Sequence, residues 1–135
     1  GNEVENTTAV KWIEQFIEPY YMHSFYFPTP LKNNSIVQEL IKNGREGKAI
    51  SQGLSGISNA TEEWEKELRA FHVEHFGNPI LAWQNSNCMA VTKEAGTRIE
   101  KSPKVLGIYA VLNAIAGWKN DGANGMTATT EFTLL

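Results

Sequence analysis

Residues 75–117, HFGNPILAWQNSNCMAVTKEAGTRIEKSPKVLGIYAVLNAIAG, decide the predicted fold of this chain. A helix is expected to end near His75, and the Gly-Asn-Pro sequence at 77–79 predicts a turn. The short apolar runs at 79–83 and 87–92 then predict two strands of a hairpin, with a possible third piece at 97–100. Ser102 followed by proline is a strong helix start, and it introduces a final helix that is apolar almost all round.

Upstream of this stretch, the pattern predicts an alternation of helices and strands. Helices are expected at 8–17, with Thr7 or Thr8 as N-cap, and at 35–43, with Asn34 or Ser35 as N-cap. Strands are expected at 22–27 and 49–52, and a long helix is expected to open at Asn59 with capping-box spacing. A helix between two short strands is typical of a parallel crossover, so the predicted class is α/β, with two parallel strands, a β-hairpin and about four helices.

Length and composition limit what the chain does. Its 135 residues suit one domain, predicted at 1–119, followed by a glycine-rich linker and tail at 120–135. A net charge of -3, from 12 basic and 15 acidic residues, argues against a strong autonomous nucleic-acid binder. No Gly-x-x-x-x-Gly-Lys-Ser/Thr loop is present, so ATP hydrolysis is not expected.

The single cysteine, Cys88, excludes an intrachain disulfide and favours a reducing, cytoplasmic setting. No apolar run approaches the length of about 20 residues that a membrane-spanning helix needs, so no membrane partner is expected.

The central stretch contains a specific motif, His-x-Gly-Asn-Pro-x-Leu-x-Trp-x-x-Ser-Asn. Two shorter segments flank it, Gln-Gly-x-x-x-x-Ser from Gln52 to Ser58 and Lys-Ser-x-Lys-x-x-Gly from Lys101 to Gly107. In this order they resemble the nuclease domain of the large terminase subunit of tailed bacteriophages, the motor that packages and cuts viral DNA. The matching positions include Gln52, Gly53, Ser58, His75, Gly77, Asn78, Pro79, Trp83, Asn87 and Gly107.

This resemblance covers about Val10 to Gly117 and implies an RNase H-like fold, here partial or degenerate. It implies a nuclease that binds two Mg or Mn ions through carboxylates, and location in the bacterial host cell. It also implies double-stranded DNA and other terminase or packaging proteins as partners. Because the first strands of the fold are missing, we expect the open sheet edge to be covered by the C-terminal tail or by a second copy in a homodimer.

Two positions depart from the family pattern. Phe27 stands at the strand end where the family has an acid, and Leu106 stands where the final helix has its metal-binding Asp. The family's third acid lies on an earlier strand, upstream of the residues present. Because neither phenylalanine nor leucine binds a hard cation, no metal site and no catalytic residue is predicted. An active nuclease that uses Glu100, Glu62 or Glu65 instead is a weaker alternative.

Candidate DNA contacts are the basic residues around the hairpin and the last helix start, namely Lys93, Arg98, Lys101 and Lys104. The alternative for these residues is ordinary solvated surface, since Glu94 and Glu100 alternate with them. For several other residues we expect a structural role and not a functional one. These roles are helix capping for His75, core packing for Trp64 and Trp83, and a small buried side chain for Cys88. The functional alternative to DNA contact is a non-catalytic protein-assembly module derived from a prophage terminase.

Overall fold

A computed structural model describes residues 3–94, 96–122 and 132–133 of the chain. By contacts the chain divides into two compact units, residues 1–49 and 50–135. Both contain helices and strands, which makes the protein mixed α/β. The described residues form five α-helices rather than about four.

The first unit begins with helix α1, Glu3–Ile17. Strand β1, Phe25–Pro28, pairs with strand β2, Gly47–Ile50, and helix α2, Ser35–Lys42, lies between them in the chain. The predicted order of strand, helix and strand is therefore confirmed. Asn34 caps α2 as predicted, because its side-chain oxygen accepts hydrogen bonds from the amides of Ile36 and Val37.

Three predicted boundaries in the first unit are wrong. Helix α1 starts at Glu3, so Thr7 and Thr8 lie inside the helix and neither is its N-cap. Strand β1 is shorter than the predicted 22–27 and ends at Pro28. Strand β2 begins at Gly47 instead of Ala49. Inside the unit, Arg45 donates to the Glu14 carboxylate from Nε at 3.0 Å and from Nη2 at 2.5 Å, which ties α1 to the residues that follow α2.

The second unit is built on two packed helices. Helix α3, Asn59–Arg69, follows a π-helical turn at Leu54–Ser58, and helix α5, Leu106–Gly122, follows a 3-10 turn at Pro103–Val105. Their contact forms the core, whose fully buried side chains are Ile57, Val105, Ile108, Leu112 and Ile115. Trp64 is only 5% exposed, so its predicted core position is confirmed.

Helix α3 differs from the prediction at its start. Asn59 is its first residue and not an N-cap, because the π-helical turn leads into the helix and Ser58 already has helical backbone angles. The predicted capping box is therefore wrong.

The predicted strand at 79–83 is also wrong. These residues belong to helix α4, Pro79–Ser86, whose N-cap is Asn78. The Asn78 side-chain oxygen accepts from the amides of Ile80 and Leu81 at 3.0 and 3.1 Å, and Pro79 occupies the first helical position, where a missing amide costs nothing. The hairpin lies later in the chain, between strand β4, Ala90–Lys93, and strand β5, Gly96–Ile99, which are antiparallel.

The C-terminal region combines a confirmed start with a corrected end. Ser102 accepts a hydrogen bond from the amide of Lys104 and caps as predicted, but it caps the 3-10 turn that leads into α5, and α5 itself begins at Leu106. Helix α5 continues to Gly122, so residues 120–122 are helical and not linker. The rest of the predicted linker, 123–127, and most of the tail lie outside the described residues. Strand β3, Val73–Glu74, pairs in parallel with strand β6, Phe132–Thr133, of the tail.

Candidate nucleic-acid interface

The hairpin and helix α5 enclose one cleft of about 310 Å³ in the second unit. We call it the basic cleft, and its lining consists of Gln52, Val91, Lys93, Arg98, Ile99, Glu100, Lys101 and Tyr109. Three of the four predicted DNA contacts, Lys93, Arg98 and Lys101, therefore share one concave surface. Lys104 is exposed on the 3-10 turn before α5 and does not line the cleft.

The cations of the second unit fall into two groups. Lys66 and Lys119 pair with Glu63 at 3.4 and 2.8 Å, and Arg69 pairs with Glu65 at 2.7 Å. The four predicted DNA contacts, in contrast, form no ion pair with any carboxylate of the described residues. Their charges are thus available to an anion from solution, although the carboxylate of Glu100 lines the same cleft.

Tyr109 lines the basic cleft from helix α5 and is largely buried. Its hydroxyl donates to the carbonyl oxygen of Ile99 at 2.5 Å, and the Lys101 ammonium lies 5.9 Å from its ring centroid. Burial raises the pKa of this phenol, although the charge of Arg98 acts in the opposite direction. The phenol therefore stays protonated at neutral pH and remains the donor to Ile99.

A short polar network continues from Tyr109 to Gln52. Asn113, which is buried, donates from Nδ2 to the carbonyl oxygen of Tyr109 at 2.8 Å. Gln52 donates from Nε2 to the side-chain oxygen of Asn113 at 3.1 Å and to the carbonyl oxygen of Ile50 at 2.9 Å. These bonds hold Gln52 at the wall of the basic cleft.

Tyr109 and Asn113 are the residues that sequence reasoning missed. Both lie in the apolar final helix, where an aromatic ring and an isolated amide are ordinary core residues. The available signal was their spacing of four residues, which puts them on one helix face.

Most of the other motif positions serve local structure. Gly77 has a φ of +72°, a conformation that favours glycine, and it precedes the Asn78 cap. Asn87 closes α4 and donates from Nδ2 to the carbonyl oxygen of Trp83 at 2.8 Å. Ser58 is buried at the end of the π-helical turn, and Gly53 is the residue before that turn.

Two expectations for single residues are corrected by the structure. His75 does not cap α3, which ends at Arg69; it follows β3 instead, and its buried Nδ1 has no partner among the described residues. Trp83 is 54% exposed on α4, so it is not a core residue.

Cys88 follows α4 and is half-buried rather than part of a strand. Its thiol donates to the carbonyl oxygen of Gln84 at 3.5 Å, and burial raises the pKa of the thiol.

The positions of the family's metal ligands do not fit a metal. Phe27 is 7% exposed and packs its ring against Phe25, and Leu106 is 56% exposed as the first residue of α5. Neither carries an oxygen ligand. Within the described ranges, no group of three or more His, Cys, Asp or Glu residues is arranged to hold a metal ion.

Comparisons with known proteins leave the family open. No protein-family model matches the chain, and no curated protein and no solved structure is significantly similar to it. The resemblance to the terminase nuclease domain therefore stays a prediction that rests on the motif residues. Among the residues that the structure describes, no helix is long and apolar enough to cross a membrane.

Proposed function

We propose that this chain is a relative of the terminase large-subunit nuclease domain that contacts double-stranded DNA during viral packaging, without its own metal-dependent endonuclease activity. In this proposal the fold is a partial RNase H-like domain, and the host cytoplasm is where it acts. The observation that carries the proposal is the basic cleft, where Lys93, Arg98 and Lys101 have no carboxylate partner among the described residues.

The chemistry of the cleft suits a phosphate backbone. Lys and Arg neutralise phosphates and release their condensed counterions, which supplies most of the affinity of sequence-independent DNA binding. Lys104, which is exposed on the 3-10 turn before α5, lies three residues after Lys101 in the chain and adds a further cation near the cleft in sequence. The acidic overall charge confines this binding to a local face and limits its strength.

The residues at the positions that the resemblance assigns to metal ligands support the proposed lack of nuclease activity. Two-metal hydrolysis requires carboxylates that hold both ions a few Å apart, and Phe27 and Leu106 supply none. Glu100 is the one carboxylate in the lining of the basic cleft. A single carboxylate does not fix two ions, so we assign it no catalytic role.

The test is a pair of assays on the full chain. Supercoiled plasmid incubated with Mg²⁺ or Mn²⁺ should remain intact, as it should with a chelator and with Glu100→Ala, while duplex DNA binding should weaken steeply with salt. Metal-dependent nicking that Glu100→Ala abolishes would overturn the inactive assignment. Binding that does not respond to salt would overturn the phosphate-contact assignment.

One observation favours a protein-assembly module as the second candidate. Ile80 and Trp83 lie three residues apart on one face of α4, and both are exposed, as are Phe76 and Met89 on either side of the helix. Exposed apolar side chains close together in sequence are typical of protein interfaces, such as those with packaging proteins or a second copy. Salt separates the two candidates, because an apolar interface survives high ionic strength whereas phosphate contacts weaken.

A further inference from the structure

The orientation of the Gln52 side-chain amide is fixed by groups that only accept hydrogen bonds. A carbonyl oxygen only accepts, so the Asn113 atom that faces the carbonyl of Tyr109 is its NH₂ group and the atom that faces Gln52 is its oxygen. For the same reason the Gln52 atom that faces the carbonyl oxygen of Ile50 is its NH₂ group. Both hydrogens of the Gln52 amide are therefore used inside the protein, since an amide nitrogen carries two.

What Gln52 offers to the basic cleft is an acceptor. Its Oε1 receives no hydrogen bond from the described part of the chain, and it is not among the buried side-chain oxygens that lack a partner. Gln52 lines the cleft together with Lys93, Arg98 and Lys101, and with the carboxylate of Glu100. A ligand that pairs with both the cations and the Gln52 oxygen therefore combines an anionic group with a nearby hydrogen-bond donor.

The size of the cleft further limits the range of ligands that it can bind. A volume of about 310 Å³ lies at the lower end of small-molecule pockets, which run from about 300 to 1,000 Å³. Such a volume suits a ligand of the size of one nucleotide better than the stacked base pairs of an intact duplex. An unpaired nucleotide also leaves its base amino groups and any terminal hydroxyl available as donors.

We propose that the basic cleft selects an unpaired DNA nucleotide, holding its phosphate on Arg98 and the lysines and accepting a hydrogen bond from its hydroxyl or amino group on Gln52 Oε1. This rests on the proposed DNA contact and adds a preference within it. Gln52 acts as a specificity residue, because the network prevents its amide from turning to present a donor.

The experiment measures the affinity of the full chain for four labelled DNA stem-loops, called DNA hairpins below, by fluorescence anisotropy. One hairpin is blunt, one carries a single 3′ overhanging nucleotide, one has that nucleotide without its 3′ hydroxyl, and one has it without its base. We expect the plain overhang to bind about three- to tenfold more tightly than the blunt end, the effect of one partly solvated hydrogen bond. Loss of the hydroxyl or of the base should remove this preference, and whichever does so identifies the donor.

Two variants separate the role of the acceptor from damage to the network. Gln52→Met keeps the side-chain length without the acceptor, so it should bind overhang and blunt hairpins equally. Asn113→Ala breaks the network but leaves Gln52 bonded to Ile50, so it should lower stability and retain the preference.

The outcomes distinguish this inference from the function on which it rests. Salt-dependent binding that requires Arg98 but treats all four hairpins alike would overturn the selectivity and leave the DNA contact standing. A preference that persists in Gln52→Met would also overturn it. The absence of salt-dependent binding to every hairpin would overturn both proposals together.

Discussion

The hydroxyl of Tyr109 in α5 donates a hydrogen bond of 2.5 Å to the carbonyl oxygen of Ile99 in β5. This bond joins the last helix to the strand that carries Arg98. It is buried, so it is shielded from competition with water. The Tyr109 hydroxyl therefore helps to position the cationic hairpin that lines the basic cleft, together with the packing of β5 against α3 and the π-helical turn.

Tyr109→Phe should lower the free energy of unfolding by about 1–2 kcal/mol, because the Ile99 carbonyl loses its donor while remaining buried. The matched control is Thr92→Val, which removes the exposed 3.1 Å contact between the hydroxyls of Thr92 and Thr97 on the same hairpin. That change should cost below about 0.5 kcal/mol. Urea unfolding followed by tryptophan fluorescence compares the two, and equal losses would contradict the assigned role of Tyr109.

Two glycines in the second unit should differ in their tolerance of alanine. A Cβ at Gly56 would meet the backbone carbonyl of Ser51, whereas a Cβ at Gly107 would meet the side-chain end of Gln84. Backbone cannot move aside as a flexible side chain does, so Gly56→Ala should cost about 1–3 kcal/mol. Gly107→Ala should cost less, since Gln84 can shift and alanine suits a helix better than glycine. Thermal melts of both variants check this order, and the reverse order would refute it.

We expect α5 to tolerate an acid at the position that the terminase pattern assigns to a metal ligand. Leu106 is exposed at the helix start, where a carboxylate interacts favourably with the helix dipole, so Leu106→Asp should change stability by no more than about 1 kcal/mol. Leu112→Ala, six residues further in the same helix, should cost about 2–5 kcal/mol because Leu112 is fully buried. The denaturant midpoints of Leu106→Asp and Leu112→Ala, each compared with wild type, test these two expectations. Plasmid nicking by Leu106→Asp alone would contradict the conclusion that the other ligands are missing.

The ion pair between Glu63 and Lys119 should make stability depend on pH. Hydrogen bonding to Lys119 lowers the pKa of Glu63 below its ordinary value of 4.5, and the side chain is 11% exposed. The added stability is therefore present above pH 4.5 and is lost as the pH falls through the lower folded-state pKa. At pH 7 Glu63→Gln should cost below about 1 kcal/mol, because Lys119 is exposed and screened.

The measurement for this pair is the free energy of unfolding of wild type and Glu63→Gln between pH 7 and pH 3. The difference between the two proteins should shrink as the pH falls. Glu65→Gln, which loses only an exposed pair with Arg69, provides the control and should have little effect at any pH. A difference for Glu63→Gln that stays constant over this range would rule out the ion pair as its cause.

Several elements of the fold were predictable because their signals are local. Asn34 caps α2, Ser102 caps the 3-10 turn that leads into α5, and the long apolar pattern of α5 identifies a buried helix. The strand predicted at 79–83 is wrong because a short apolar run does not distinguish a strand from a helix. The Asn78-Pro79 pair settles this in favour of a helix, since the Asn78 side chain satisfies two amides of the first turn.

Only the part of the candidate site that is local in sequence could be predicted. The clustering of Lys93, Arg98 and Lys101 follows from their positions on one hairpin and the segment after it, although the sequence placed the hairpin too early. Tyr109 and Gln52 enter the cleft only through contacts between distant segments, such as the one that links Gln52 to Asn113. No spacing in the sequence reports such a contact.

The most direct test of DNA contact compares two arginines of the second unit. Arg98 lines the basic cleft without a carboxylate partner among the described residues, and Arg69 pairs with Glu65 on α3. Duplex DNA binding by wild type, Arg98→Ala and Arg69→Ala is measured by fluorescence anisotropy over a series of salt concentrations. We predict that Arg98→Ala weakens binding and reduces the slope of log affinity against log salt by about 1, while Arg69→Ala matches wild type. Equal losses in both variants, or binding by wild type that does not change with salt, would contradict the account.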